Sequence, residues 1–442
     1  MIDTIAAIAT PSGRGGVGIV RISGDNATII SEKIIQQSLR PREAIFTKFY
    51  DLENREVDEG IALYFQNPHS FTGEDVIELQ AHGSPIVLDQ LLQIAIHYGA
   101  RLARPGEFSE RAFLNKKIDL TQAEAIADLI SANSLQAAQS AMRSLQGAFS
   151  EKIKSLQESL TTLRTQIEAM LDFPDEDIDF MAQPETRTLL QKTIDAVLAV
   201  KNQAKQGVLL QSGLNVVIAG KPNVGKSSLL NYLSGRESAI VTDIPGTTRD
   251  ILRESIHIDG MPLHIIDTAG LRETTDRVEQ EGVRRAREQM QQADLILFIV
   301  EAVDLAILEV GATATTPMLI VKNKIDLTHE LPEIISNKNR TEVKISIKNN
   351  LGLDLLTKEI KKIAGFQSEE TSGFIARRRH VAALDRAYQF LLHGQSQLTE
   401  HRAGELLAED LCDAQKALSE ITGEFSSDDL LGKIFSSFCI GK

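Results

Sequence analysis

Apolar and polar positions form three successive patterns along the chain. Residues 1 to about 118 mix short apolar runs, such as "VGIVRIS" and "DVIELQAHG", with Gly and Pro and with helix-like stretches such as "IVLDQLLQIAIHYG". Short strand-like runs separated by turn residues, with one or two helices among them, predict an α+β fold for this region.

The second pattern is helical. From Thr121 the chain is rich in Ala, Gln and Leu, and apolar residues recur at spacings of three, four or seven between Met142 and Met170. That spacing predicts a long helix packed lengthwise on another helix, and we interpret its apolar stripe as core. The segment "DFPDEDIDF" ends the pattern, and a second helix is expected from about Glu185 to Leu210.

In the third pattern, strands and helices alternate between Gly213 and about Gly365. Its strand-like segments are "LNVVIAG", "LHIIDTAG", "LILFIV", "MLIVKN" and "EVKISI". This alternation predicts a mostly parallel α/β unit. The "DG" at Asp259 and Gly260 predicts a hairpin between two adjacent strands. After Phe374 only helical patterns follow.

These patterns predict one helical domain, split in sequence by an inserted α/β domain. A chain of 442 residues has room for roughly three units at about 150 residues per domain. We expect an N-terminal domain over 1–118, a first helical part over 119–210, the inserted domain over 211–370 and a second helical part over 371–442.

Composition narrows the class of protein. With 42% hydrophobic and 24% charged residues, the chain resembles an ordinary soluble globular protein. A net charge of −14 excludes a uniformly basic surface that coats nucleic acid. The basic run "ARRRH", 376–380, is better explained as a solvated helix start than as an RNA contact.

Cysteine content and hydropathy predict a location. Only Cys412 and Cys439 are present, which fits a reducing cytosol. No apolar run reaches the ~18 residues that span a bilayer, and the N-terminus lacks a basic region before an apolar stretch. A cytoplasmic protein that does not enter a membrane is expected.

The segment "GKPNVGKS", 220–227, fits the phosphate-binding pattern G-x-x-x-x-G-K-[ST] between a strand and a helix. Its glycines let backbone N–H groups wrap phosphates, and the helix N-terminus adds positive potential. Lys226 is expected to reach the β and γ phosphates and Ser227 to bind Mg²⁺. The nucleotide-binding residues expected here are Asn223, Val224, Gly225, Lys226, Ser227 and Ser228.

The segment "NKID" predicts recognition of guanine. The carboxylate of Asp326 can accept hydrogen bonds from the ring N–H and the exocyclic amine of guanine, a donor pair that adenine lacks. An unpaired buried carboxylate is costly, so the wrong base is rejected by a factor on the order of 10⁴. Asn323 and Lys324 would buttress the loop. The motif is weak alone and gains weight from its place downstream of the phosphate loop.

Two further segments complete the signature of a GTPase. In "DTAG", Asp267 would hold Mg²⁺ through water and the Gly270 N–H would sense the γ-phosphate. The segment "DIPGTTRD", 243–250, offers a loop from which a Thr hydroxyl can reach Mg²⁺. Together with the two preceding motifs, these segments predict GTP hydrolysis.

The motif order "GKPNVGKSS", "IPGTTRD", "DTAGLRET", "NKID" resembles the translation-associated GTPases. The flanking segments "GRGGVGIVRISG", "SFTGEDVIELQAHG", "RPGEFSERAFLNKKIDLTQAEAIADLI" and "FCIGK" resemble the MnmE (TrmE) family of tRNA-modification GTPases. That resemblance covers essentially the whole chain. It implies a multidomain fold with a folate-binding-like α+β domain, a discontinuous helical domain and an inserted Ras-like P-loop G domain.

The resemblance also implies a reaction and partners. Members of this family form homodimers through the N-terminal domain and work with MnmG, an FAD- and NADH-dependent partner, in a heterotetramer or larger complex. Together they attach an aminomethyl or carboxymethylaminomethyl group to C5 of the wobble uridine, U34, of certain tRNAs. The N-terminal domain is implied to bind 5-formyl- or 5,10-methylene-tetrahydrofolate.

The residue after "DTAG" is Leu271, where Ras-type GTPases supply a water-orienting Gln. The resemblance implies a potassium ion in place of an arginine finger, which is worth about 10³ to 10⁵ in rate. Asn223 would offer its amide oxygen to this ion. The remaining ligands implied by the resemblance are Thr242 and Ile244, through backbone carbonyls, and Thr247; Thr248 goes to Mg²⁺.

The resemblance further implies that Glu279, in "DRVEQEG", orients the attacking water through a second water when two G domains meet. From the sequence alone, Glu279 is an ordinary surface glutamate of a helix. The likeness to the family favours the catalytic interpretation.

Folate-binding residues follow from the same resemblance. They are Arg21, Glu78, Lys117 and Lys442, whose charges suit the carboxylates and the amide-like edge of a folate. Each of the four, taken singly, would be interpreted as part of a surface salt bridge.

The two cysteines receive different interpretations. The resemblance implies that Cys439 is a nucleophile or proton-transfer group acting on uridine, which requires a pKa lowered by a nearby cation. The alternative is a small apolar residue that anchors "IFSSFCIGK", and the sequence leaves both open. Cys412, inside a helical pattern, is interpreted as a buried small side chain.

Two other classes of protein remain as alternatives. A ribosome-assembly GTPase of the Era/EngA type would share the nucleotide motifs but should carry an RNA-binding element such as a KH-like GXXG loop, and no convincing one is present. A folate-dependent one-carbon enzyme with a regulatory G domain is the other.

Overall fold

The computed structural model describes residues 3–172, 184–236, 253–267, 293–303, 316–337, 340–366, 373–401, 403–424, 428–439 and 441. The chain divides into two compact units. The terminal unit comprises Met1–Ala127 with Gln415–Lys442, and the central unit comprises Asp128–Ala414.

Helices and strands both occur in the described residues. The helices are α1 (Ala27–Ile35), α2 (Pro85–His97), α3 (Glu107–Leu114), α4 (Leu120–Ile130), α5 (Leu135–Leu145), α6 (Ala148–Asp172), α7 (Pro184–Ser212), α8 (Lys226–Arg236), α9 (Leu353–Ala364), α10 (Arg378–Ser396), α11 (Gly404–Thr422) and α12 (Asp428–Ser436). The strands are β1 (Ile5–Ile8), β2 (Gly15–Ser23), β3 (Ile45–Tyr50), β4 (Glu56–Phe65), β5 (Val76–Gly83), β6 (Arg101–Leu102), β7 (Leu214–Gly220), β8 (Arg253–Ile258), β9 (Met261–Asp267), β10 (Leu295–Glu301), β11 (Met318–Asn323), β12 (Ile334–Asn337) and β13 (Arg340–Lys344).

The terminal unit contains a six-stranded sheet in the order β3-β4-β5-β2-β1-β6. Successive side chains of a strand point to opposite faces, so the two faces have separate cores. On one face, Val20 and Ile22 pack with α1 and α2. On the other face, Ile5 and Ala7 of β1 pack with Phe108 of α3. This α+β arrangement confirms the predicted class of the region.

The last helix of the chain packs within the terminal unit. Phe435 and Phe438 are buried against Leu120 and Ala123 of α4. The loop before α3 approaches this segment closely, because a Cβ on Gly106 would lie 2.5 Å from the Phe435 carbonyl oxygen. Gly106 also has a φ of +68°, so glycine suits this position on both counts.

The helical part of the central unit differs from the expected single long helix. The pattern that begins at Met142 is divided between α5 and α6, so that expectation is wrong at its start. Gly147 ends α5 with a φ of +97°, and its N–H donates to the Ser144 carbonyl at 2.9 Å. A left-handed glycine just past a helix end is a common stop signal. The apolar stripe of α6, including Phe149, is buried as expected.

The central unit also contains a seven-stranded sheet in the order β12-β13-β11-β10-β7-β9-β8. Five neighbouring strands are parallel, and the edge strands β8 and β12 are antiparallel. The predicted hairpin joins β8 to β9, with positive φ at Asp259 and Gly260. The strand β12 was not predicted from the sequence.

This arrangement confirms the predicted α/β class and positions the phosphate loop. The carboxyl ends of β7, β11 and β13 meet at one edge of the sheet because these strands are parallel. After Phe374 the described residues are helical or irregular, as predicted. Among the described helices, none combines the length and apolar character that crossing a bilayer requires.

Candidate functional site

The loop between β7 and α8 has the geometry of a phosphate cradle. Positive φ angles occur at Gly220, Asn223 and Gly225. A Cβ on Gly220 would lie 2.4 Å from the Ile299 carbonyl oxygen, and a Cβ on Gly225 would lie 2.4 Å from Nδ2 of Asn323. Side chains at these two positions would therefore clash, and the glycines let the backbone turn tightly in front of the helix N-terminus.

The first turn of α8 presents a cation and hydroxyl groups at this cradle. Nζ of Lys226 donates to the carbonyl oxygens of Gly220 at 2.7 Å and of Lys221 at 3.0 Å. Ser227 and Ser228 follow and are exposed. The ammonium group therefore lies over its own loop, where an anion would meet both the charge and the helix N-terminus.

The side chain of Asn323 hydrogen-bonds to the phosphate loop and to the segment after β13. This side chain is buried, Nδ2 donates to the Val224 carbonyl at 2.8 Å, and Oδ1 accepts from the Ile347 N–H at 3.2 Å. The first contact reaches the phosphate loop and the second reaches the segment after β13. One amide thus fixes the relative position of three loops at the sheet edge.

Asp326 lies in the short 3₁₀ helix after β11, and its Oδ1 accepts from Ser346 Oγ at 2.5 Å. This hydrogen bond is the main reason that the pKa of Asp326 lies below its ordinary value. The carboxylate is therefore ionised at neutral pH. The neighbouring Lys324 has a positive φ, and its ammonium pairs with the carboxylate of Glu301.

Ser346 was missed in the sequence reasoning. Its hydroxyl is buried at the end of β13 and orients the Asp326 carboxylate. The signal available was the "SIK" that follows the last parallel strand of the α/β region. Since parallel strands end at one edge, that segment has to lie near "NKID".

Several residues expected in the nucleotide site lie outside the described residues. They are Thr242, Ile244, Thr247, Thr248, Gly270 and Glu279. Asp267 is the last residue of β9, and its side chain is not described. Of the predicted nucleotide site, the structure therefore brings together the phosphate loop and the "NKID" loop, 323–326, which we call the base-binding loop.

A second cluster lies in the terminal unit, on the sheet face that also carries α3. Nε of Arg21 donates to Oε1 of Glu78 at 2.9 Å across the pair β2 and β5, and Nη1 donates to the Gly441 carbonyl at 3.2 Å. The guanidinium also lies 5.7 Å from the centre of the Phe108 ring. Arg21 and Glu78 are thus brought together with the residue before Lys442, which is itself outside the described residues.

Lys117 lies at a neighbouring loop. Its Nζ donates to the Pro68 carbonyl at 2.8 Å, and its Cγ lies 3.3 Å from the Cβ position of Gly73. The predicted folate residues therefore include one ion pair, Arg21 with Glu78, and one lysine held against the loop over 68–73.

The cysteines occupy different environments. Cys439 is exposed, and its carbonyl accepts from the Gly106 N–H at 3.3 Å. The apolar anchoring of the C-terminal segment comes from Phe435 and Phe438. Cys412 is half-buried, so the expectation of full burial is wrong for this side chain.

Comparison with known proteins decides the family. A family model described as "MnmE helical domain" matches residues 120–439, and one described as "GTP-binding protein TrmE N-terminus" matches residues 4–117. The tRNA modification GTPase MnmE of Coxiella burnetii (strain Dugway 5J108-111) is 57% identical over 448 residues, covering 100% of this chain and 99% of that protein. The chain belongs to the MnmE family of tRNA modification GTPases.

A second relative agrees with this assignment to the MnmE family. The MnmE of Hydrogenovibrio crunogenus is 56% identical over 446 residues, covering 100% of this chain and 99% of that protein. Among solved structures, Aquifex aeolicus Era bound to GDP and AlF₄⁻ is 26% identical, covers 40% of this chain and 67% of that chain, and has a TM-score of 0.27. The full-length MnmE relatives establish the family.

Proposed function

We propose that the chain hydrolyses GTP to GDP and phosphate, and that this reaction is coupled to modification of tRNA at wobble uridine 34. The added group is aminomethyl or carboxymethylaminomethyl at C5, and the partner is MnmG. The observation that carries the proposal is the buried Asn323 amide, which joins the phosphate loop to the base-binding loop. It occurs in a chain 57% identical to a tRNA modification GTPase along its full length.

Phosphate binding is supported by the geometry of the cradle. The N–H groups of the loop over 220–225 and of the first turn of α8 would donate to a bound anion. Lys226 would exchange its two loop carbonyls for the β and γ phosphates, which are stronger acceptors. Val224 is buried and anchors the loop, while Ser228 lies in the first helical turn.

Guanine recognition rests on Asp326. Its ionised carboxylate accepts from two guanine N–H groups, and Ser346 fixes its orientation. Lys324 is held by Glu301 beside the base position.

A magnesium ion would suit the exposed hydroxyl of Ser227 in the first turn of α8, since oxygen atoms are its preferred ligands. Ser227 and Thr248 would bind it directly and Asp267 through water. When bound, the ion neutralises charge on the β and γ phosphate oxygens. Gly270 would donate its N–H to the γ-phosphate.

A potassium ion would suit Asn223, which is exposed in the phosphate loop and whose side chain carries an amide oxygen. Thr242, Ile244 and Thr247 would complete the ligand set. When bound, the ion supplies the positive charge that an arginine finger supplies elsewhere. Glu279 would orient the attacking water.

The second cluster suits a reduced folate, 5-formyl- or 5,10-methylene-tetrahydrofolate. Glu78 can accept from the pterin edge, with Arg21 paired to it at the same end of the ligand, and Lys117 can bind a carboxylate of the glutamate tail. Lys442 would add a further cation. Cys439 is exposed next to this cluster in sequence, which supports a role in the chemistry on uridine.

The assembly and location follow from the same proposal. The protein would be a cytoplasmic homodimer that pairs through the N-terminal domain and binds MnmG in a heterotetramer or larger complex. The proposed domains are 1–118 for folate binding and dimerisation, 119–210 and 371–442 for the two helical parts, and 211–370 for the G domain.

The test uses cells that lack the protein. Their tRNA should lose the U34 modification in mass spectrometry, and the wild-type gene should restore it. Lys226→Ala should fail to restore it, while Lys205→Ala, on the exposed side of α7, should restore it as a control. Normal tRNA together with aberrant ribosomal particles would instead support a ribosome-assembly GTPase.

A further inference from the structure

A network of ion pairs lies under the Arg21 cluster. We define the buried ion network as Asp3, Glu74, Arg101, Glu107 and Arg111. Three of its members are almost inaccessible to solvent, with exposed fractions of 2% for Glu107, 7% for Arg111 and 8% for Glu74. The network connects four separate parts of the terminal unit: the start of the chain, the loop before β5, strand β6 and helix α3.

Arg111 is the centre of this network. Nη1 donates to both carboxylate oxygens of Glu74, at 3.2 and 3.1 Å, and to the Asp3 carbonyl at 2.8 Å. Nη2 donates to Oδ1 of Asp3 at 2.7 Å and to Oε1 of Glu107 at 3.2 Å. Arg101 adds two further hydrogen bonds to Glu107, at 2.6 and 3.1 Å.

Glu74 extends the network to the sheet. The Ser23 hydroxyl donates to Oε2 of Glu74 at 2.7 Å and is hydrogen-bonded to the Thr72 hydroxyl at 2.8 Å. The Ser70 hydroxyl donates to the Glu74 carbonyl at 2.5 Å, and the Asn115 side chain donates to the Thr72 carbonyl at 2.8 Å. The loop over 70–74 is therefore fixed by hydrogen bonds from β2 and from the end of α3.

Stability alone does not account for buried charges. Removing an ion from water costs several kcal/mol, and well-packed apolar residues of similar volume are often as stable as a buried ion pair. What directional hydrogen bonds supply in addition is a defined geometry, because each bond fixes a distance and an angle.

Each described residue of the proposed folate cluster lies within four residues, in sequence, of Glu74 or of a residue that is hydrogen-bonded to the loop over 70–74. Ser23 is two residues from Arg21 in β2, so both side chains lie on the same face of the sheet. The loop held by Glu74 leads into β5, which carries Glu78. Asn115 is two residues before Lys117.

Helix α3 provides the remaining connection. Phe108 contacts the Arg21 guanidinium and lies between Glu107 and Arg111 in sequence. Movement of α3 would therefore displace the ring on which Arg21 rests.

We propose that the buried ion network, through Arg111, Glu74 and Ser23, positions Arg21, Glu78 and Lys117 to bind a reduced folate. Arg111, Glu74 and Ser23 are positioning residues and do not contact the ligand. The inference rests on the proposed folate site and assigns to it a set of residues beyond the ligands themselves.

The experiment measures binding of 5-formyltetrahydrofolate to the full-length protein by isothermal titration calorimetry. The variants are Arg111→Lys, which keeps the charge but loses the two-pronged donor geometry, and the milder Ser23→Ala. Each should raise the Kd at least tenfold, while GTP hydrolysis stays near wild type. Arg111→Lys should also lower the Tm, because it disturbs buried ion pairs, whereas Ser23→Ala removes no charge and should leave the Tm near wild type. The control is Lys48→Ala, which removes the exposed Lys48–Glu56 ion pair in the same sheet and should leave the Kd unchanged.

The outcomes separate the two proposals. If the wild-type protein does not bind 5-formyltetrahydrofolate, the proposed folate site is wrong. If wild type binds and both variants bind equally well, the site stands and the positioning role is refuted. A loss of affinity that only parallels a fall in Tm across both variants would also refute it, because the network would then be merely structural.

Discussion

In the proposed GTPase, Asp326 and Ser346 are the single residues that would determine nucleotide choice. A carboxylate that accepts a 2.5 Å hydrogen bond from a buried hydroxyl has one preferred orientation. Since its pKa is lowered mainly by that bond, it is ionised wherever the protein is folded near neutral pH. Orientation and charge are both needed to distinguish guanine from adenine.

We expect Asp326→Asn to weaken GTP binding at least about a hundredfold, because two hydrogen bonds to a charged acceptor, worth about 1.5 to 3 kcal/mol each, are lost. Binding of xanthosine triphosphate should improve, since the new amide can donate to the carbonyl that replaces the guanine amine. Equilibrium binding of both nucleotides measures the change. Asp354→Asn, at the start of α9, is the control, and unchanged GTP affinity in Asp326→Asn would contradict the assignment.

At the scale of elements, the sequence predicted features that depend on neighbouring residues. It did not predict features that depend on strand pairing. Strand β7, the phosphate loop and α8 follow from short-range spacing, and the hairpin at Gly260 follows from its turn residues. The role of Ser346 depends on β13 pairing with β11, which no local pattern encodes. The break at Gly147 was missed because the apolar spacing continues across it, although a left-handed glycine stops α5.

Contacts between charged residues that are distant in sequence were not predicted either. Arg111 and Glu107 were interpreted only as part of a family segment, yet α3 carries them into a network with Asp3 and Glu74. Periodicity indicates that a helix has a buried face but does not reveal which charges it meets there. Residues of the second cluster could be placed only through resemblance to the family.

The network predicts a pH dependence for the terminal unit. Burial alone would raise the pKa of Glu107, but hydrogen bonds from Arg101 and from the Arg104 N–H outweigh it, and the pKa lies below the ordinary value. A lowered folded-state pKa stabilises the fold above the unfolded value of about 4.3 and loses that contribution as the pH falls further.

We therefore expect the Tm of wild type to fall between pH 5 and 3, and Glu107→Gln to reduce this dependence while lowering the Tm at pH 7. The contribution of one proton is at most about 1.4 kcal/mol per pH unit. Differential scanning calorimetry of the full chain from pH 3 to 7 measures it. Glu110→Gln, which removes the more exposed partner of Arg104, is the control. Parallel curves for wild type and Glu107→Gln would rule out this source of acid sensitivity.

At the scale of the whole molecule, the two candidate clusters lie in different units. The phosphate loop and Asp326 belong to the central unit, and Arg21 with Glu78 belongs to the terminal unit. The proposed reaction uses both, so hydrolysis and folate binding can be disturbed separately. A family model that spans residues 120–439 includes the G domain within the helical part, in agreement with an inserted domain.

The proposed mechanism of hydrolysis makes a prediction for the intact protein. Leu271 cannot orient water, and the proposal assigns positive charge to K⁺ near Asn223 and water orientation to Glu279. Replacing K⁺ by Na⁺ should slow GTP turnover by about 10³ or more, the range assigned to a missing arginine finger, with GTP affinity changed little. Steady-state phosphate release and nucleotide binding in each salt measure the two effects.

In K⁺, Glu279→Ala should leave GTP binding near normal and make hydrolysis much slower. The reason is that a residue that acts only on the attacking water contributes in the transition state and not in the ground state. Glu281→Ala, two residues further along, is the matched control and should hydrolyse GTP at the wild-type rate. Equal turnover in K⁺ and Na⁺ would remove the cation from the mechanism, and unchanged hydrolysis in Glu279→Ala would remove that carboxylate. Because the two results are independent, each half of the proposal can be rejected without the other.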